Sequence, residues 1–118
     1  MSSPFVKTLA PQSVDDPQPC YRLEAGSYPA LMLRMELRAG ASLALPYAHL
    51  GSLSLDAETG LTLLFATHKV LLKGRNLQPL YELLARHRVE ALREHVTAAH
   101  RFPAEATVIS SIQLELLT

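Results

Sequence analysis

The chain has 118 residues, enough for one domain with a real core and no staples, since a domain of that size hides roughly two-thirds of its unfolded surface. Apolar residues make up 48% and charged residues only 19%, which excludes a disordered polyampholyte, while a balance of 11 basic and 11 acidic residues argues against a dedicated nucleic-acid binder. The single cysteine, Cys20, excludes an intrachain disulfide and a cysteine metal cluster and points to a reducing cytoplasm. No apolar run reaches the length of a signal peptide core or a membrane span.

Residues 1–20 read as an arm, with Pro4, Pro11, Pro17 and Pro19 stiffening it and Phe5, Val6 and Leu9 as anchors available to a neighbouring subunit. The domain proper is expected over 21–118. The clearest strand pattern is 31–38, with Leu31, Leu33, Met35 and Leu37 on one face and Met32, Arg34, Glu36 and Arg38 on the other. After the turn at Arg38–Ala41 a short strand is expected at 43–45, ended by Pro46. Residues 50–55 alternate Leu against Ser, and 56–60 form a polar turn. Residues 61–66 and 69–73 form a hairpin apolar on both faces, which marks a central position.

Gly74 is expected to stop that hairpin. Asn76 then serves as N-cap of an amphipathic helix over about 76–87, with Pro79 in its first turn and Leu77, Leu80, Tyr81 and Leu84 on one stripe. Val89, Leu92, Val96 and Ala99 keep the helical period, so 89–100 is expected to be a second helical segment. Residues 108–116 alternate and form the final strand. Strands mainly before a helix give an α+β domain, mainly an antiparallel sheet of five to six strands.

The run from Leu61 through the Gly74-Arg75-Asn76-Leu77 turn to Leu80-Tyr81-Glu82-Leu83-Leu84 resembles small bacterial proteins carrying a hairpin, a G-R-N-L turn and an L-Y-x-x-L helix. The likeness extends through Val89. It implies that local unit and a bacterial source, and brings no activity with it.

No linear motif carries chemistry. His49, His68, His87, His95 and His100 lack chelating spacing: His87 and His95, eight residues apart, would lie about 12 Å apart along a helix. Neither a metal nor a cofactor is expected. Ser52 follows Gly51 without the G-x-S-x-G elbow, and Cys20 has no base nearby in sequence, so no catalytic residue is assigned. The one asymmetry is charge. Lys69, Lys73, Arg75, Arg86, Arg88 and Arg93 face only Glu82 and Glu90 over 25 residues, leaving that stretch net +4.

Three functional readings follow. The first is a non-enzymatic binding or assembly module, expected as a homodimer. The second is a domain that contacts phosphate, nucleic acid or an acidic protein through Lys73, Arg75, Asn76, Arg86 and Arg88, where Gly74–Asn76 leads into a helix N-terminus. The third is a small enzyme gathering residues such as His68 and Tyr81 from separate elements.

Overall fold

The computed structural model describes residues 19–26, 28–95 and 102–117. In chain order it comprises β1 (Tyr21–Leu23), β2 (Met32–Glu36), β3 (Ser42–Pro46), a 3-10 turn (Tyr47–His49), β4 (Leu50–Asp56), β5 (Gly60–Phe65), β6 (His68–Arg75), α1 (Gln78–Ala85), β7 (Val89–Arg93) and β8 (Val108–Leu116). The class is α+β, with eight strands among the described residues rather than five or six, divided between two four-stranded sheets ordered β1-β7-β2-β3 and β4-β5-β6-β8. Pairing is antiparallel throughout except between β2 and β7.

The expected helix over 89–100 is corrected over its first part. Val89–Arg93 is the strand β7, sandwiched between β1 and β2, while 96–100 lie outside the described residues. The reason is burial. Val89, Ala91 and Leu92 are all buried, so the segment shows no two-residue alternation, and its Glu, Ala, Leu and Arg mimic helix. A register shift in β1–β7 opposite Glu90 breaks the alternation further. β1 escapes sequence reading because it is three residues long.

Pairing fixes the faces. In the first sheet Leu33, Met35, Leu45, Val89 and Leu92 are buried, while Arg22, Arg34, Glu36, Glu90 and Arg93 face outward as ion pairs: Arg22 with Glu90, Arg34 with Glu36 at 3.3 Å and Arg93 with Glu36 at 3.1 Å. In the second sheet Leu61, Leu63, Phe65, Val70, Leu72 and Ile112 are buried. Both inner faces, Leu77 and the α1 residues Leu80 and Leu84 feed one core cluster, to which Cys20 also belongs. The arm lies outside the described residues apart from Pro19 and Cys20.

Gly74 does not stop the hairpin. β6 runs on to Arg75, pairing Gly74 with Ile109 and Arg75 with Val108 after a bulge. A Cβ on Gly74 would sit 1.8 Å from the Val108 carbonyl oxygen, so glycine is required here by close approach. The bulge, which leaves Ser110 out of register, also explains why Ile109 and Ile112, three residues apart, are both buried. Asn76 is not the helix cap either. It has φ 55, and α1 begins at Gln78 after Leu77, with proline in the first turn. No helix among the described residues is long and apolar enough to cross a membrane.

Candidate functional site

The basic stretch does not converge. Arg88 turns its guanidinium onto the chain before β2. Nη1 donates to the Tyr28 carbonyl at 3.0 Å, and Nη2 to those of Glu24 at 3.3 Å and Gly26 at 3.1 Å. Two backbone bonds reinforce the clamp, from Glu24 N–H to the Arg88 carbonyl and from Ala30 N–H to the His87 carbonyl, each 2.8 Å. A planar cation with five donors suits three carbonyls in one loop.

Arg75 and Asn76 tie down a different loop. Arg75 Nη2 donates to the Pro103 carbonyl at 2.9 Å, and its Nε is buried without a partner. Asn76 Nδ2 donates to the carbonyls of Ala104 at 2.8 Å and Ala106 at 3.1 Å, while its own carbonyl accepts from the Thr107 hydroxyl at 2.6 Å. Left-handed Asn76 thus turns the chain and fastens 103–107. Arg86 is exposed at the C-cap of α1. Lys73 is exposed and lines, with Asn76, Gln78 and Tyr81, a cleft of about 560 Å³ walled by the Asp56–Gly60 turn.

That turn is built from Asp56, whose Oδ1 accepts from Glu58 N–H at 2.7 Å and Thr59 N–H at 3.1 Å; these two bonds hold its carboxyl below the usual range. Gly60 closes it with φ +103, a conformation that favours glycine. The carboxylate is thereby spent on its own backbone. His68 stands at the start of β6, its Nδ1 2.8 Å from the Thr67 hydroxyl. About 23 Å of extended strand separates it from the end of β6 that leads to Tyr81, so these two residues do not meet. Among the described residues no group of three His, Cys, Asp or Glu could hold a metal ion. Cys20 is buried and its Sγ accepts from Ile109 N–H at 3.2 Å; burial pushes the thiol up, against the opposing pull of that bond and of Arg93.

What sequence reading missed is an apolar rim. Leu31, expected in the core beside Leu33, lies just outside β2 and is 85% exposed; Tyr28 is 80% exposed. Leu23 and Met32 are each 45% exposed. Tyr28 and Leu31 border a hollow of about 870 Å³ lined also by Pro29, Ala30, Tyr47 and His87. Leu31 and Met32 border a second, of about 490 Å³. Tyr47 is a rigid part of that lining. Its hydroxyl donates to the Val89 carbonyl at 2.6 Å, its ring stacks on His87 with centroids 4.4 Å apart, and burial pushes its phenol up. The available signal was Gly26 and Pro29 bracketing Tyr28, a loop composition that brings an aromatic to the surface.

No family model, no curated protein and no solved structure matches the chain.

Proposed function

We propose that the protein is a non-enzymatic binding module whose contact surface is the apolar rim of Tyr28, Leu31 and Met32 around the hollow lined by Tyr47 and His87. One observation carries this reading: two large apolar side chains more than three-quarters exposed stand beside a concave, mostly apolar surface. Contiguous exposed apolar surface of this kind marks contact sites, and aromatic anchors dominate their energetics. The loop bearing Tyr28 is pinned by Arg88, which acts as a positioning residue, and Leu31 is fixed by its carbonyl accepting from Tyr47 N–H at 3.0 Å. An ordered rim loses less entropy on binding than a loose one. The ligand is a peptide segment with an apolar side chain small enough for the hollow.

Selection from a random peptide display library tests it. The full chain should enrich peptides carrying aromatic or aliphatic anchors, and the double variant Tyr28→Ser, Leu31→Ser should lose that enrichment with an unchanged unfolding midpoint. Equal enrichment by both proteins would refute the rim as the contact surface.

A further inference from the structure

We propose that the open edge of β4 pairs antiparallel with β4 of a second copy of this chain, joining the two β4-containing sheets into one. This surface is distinct from the Tyr28–Leu31 rim. It follows from comparing the edge strands of the two sheets.

An edge strand presents unpaired N–H and C=O groups on alternate residues, and proteins shield them by shortness, charge, proline or cover. β1 is three residues long and carries Arg22. β3 ends on Pro46. β8 is covered over its first half: Ile109 N–H donates to Cys20 Sγ, the Ile109 carbonyl accepts from His95 N–H, the Ser110 carbonyl accepts from Arg38 Nη2 at 2.8 Å, and Ile112 N–H donates to Glu94 Oε2 at 3.0 Å. On β4 these devices are few: α1 packs against it, and Asp56 stands at its end. It is seven residues long, uncharged from Leu50 to Leu55 and free of proline, and among the described residues β5 is its one strand partner. Its register shift is confined to the Leu50–Ser52 end.

The strand is also complementary to itself. An antiparallel pair centred on Leu53, within the regular part of the strand, sets Leu53 against Leu53 and Ser52 of each copy against Ser54 of the other. Serines then share the outer face, and leucines the inner. Charge agrees with that register. Asp56, the strand's one carboxylate, lies three residues from Leu53, so the two Asp56 side chains stand at opposite ends of the pair and no like charges meet across the axis. Leu53 and Leu55 are only partly buried in a single copy and lie against the core, so pairing would extend the apolar layer across the junction.

Sedimentation velocity of the full chain at about 100 μM tests this, a range in which even a micromolar complex is populated. The wild type should sediment at twice its chain mass of 13.0 kDa. Ser52→Lys with Ser54→Lys places four lysines around the axis and should give monomer; Ser52→Glu with Ser54→Glu should do the same. Mixing the Lys and Glu variants should restore the dimer, which a misfolded variant could not do. The Tyr28→Ser, Leu31→Ser variant should remain dimeric. A monomeric wild type, a dimer that survives both charge variants, or no recovery on mixing would each overturn the proposal. None of these outcomes bears on peptide selection by the rim, so the two readings fail separately.

Discussion

Glu94 shows how much one side chain can carry. It follows β7, and its carboxylate accepts from Arg38 N–H at 3.0 Å and from Ile112 N–H at 3.0 Å, tying the turn after β2 to β8 in the other sheet. Burial raises its pKa, but those two N–H groups and the Arg38 charge outweigh burial and hold it below the ordinary glutamate value. The unfolded chain therefore takes up this proton first as pH falls. The stabilisation is fully present above the unfolded value of about 4.3 and is lost as pH drops through the lower folded value. Glu94→Gln should lower stability by about 1–3 kcal/mol at neutral pH and flatten the acid limb of a plot of unfolding free energy against pH. A parallel acid limb would show that the carboxylate charge plays no part. Tyr47→Phe leaves the buried Val89 carbonyl without its donor and should lose about 1–2 kcal/mol in urea unfolding.

Element placement depends on contacts no local pattern encodes. β6 and β8 pair over their whole length only because Gly74 lets the Val108 carbonyl approach. Gly74→Ala should push the two strands apart and lower stability by about 3 kcal/mol or more, and a thermal midpoint within a degree or two of wild type would contradict that account. The loop over 24–28 depends on Arg88 in the same way. Arg88→Lys keeps the charge but cannot reach three carbonyls with a planar fork, so amide exchange at 24–30 should quicken while β5 and β6 stay protected. Uniform exchange rates between the two proteins would remove Arg88 as the strut of the rim.

Across the whole molecule, stability and recognition fall to different parts. The single core cluster draws on both sheets and on α1, with Leu61, Leu63, Val70, Leu72, Leu80 and Leu84 fully buried. Native-state hydrogen exchange should find β2, β5, β6 and β7 slower than the edge strands, since each is paired on both sides, and three-residue β1 fastest among the strands. The outward ion pairs of the first sheet add little, because exposed pairs trade Coulomb energy against side-chain entropy and salt. Tyr28 and Leu31 of the rim and Ser52 and Ser54 of β4 are exposed outside that core, so they can be changed without unfolding the protein.

The sequence by itself determined the class, the hairpin of β5 and β6, the helix of Leu80 and Leu84 and the final strand. In the helix hydrophobic period and burial coincide; in β8 the alternation marks the strand, while the bulge buries Ile109 and Leu116 is left exposed. It did not determine β1, which is too short for a pattern, or β7, where buried Val89, Ala91 and Leu92 and a register shift at Glu90 erase the alternation. Nor could it say that Arg75, Asn76 and Arg88 spend their donors on backbone carbonyls of loops 28 to 64 residues away in the chain. A run of cations reads the same whether it faces a ligand or its own chain, because the difference lies in which acceptors the fold brings within 3 Å, and only the tertiary structure decides that.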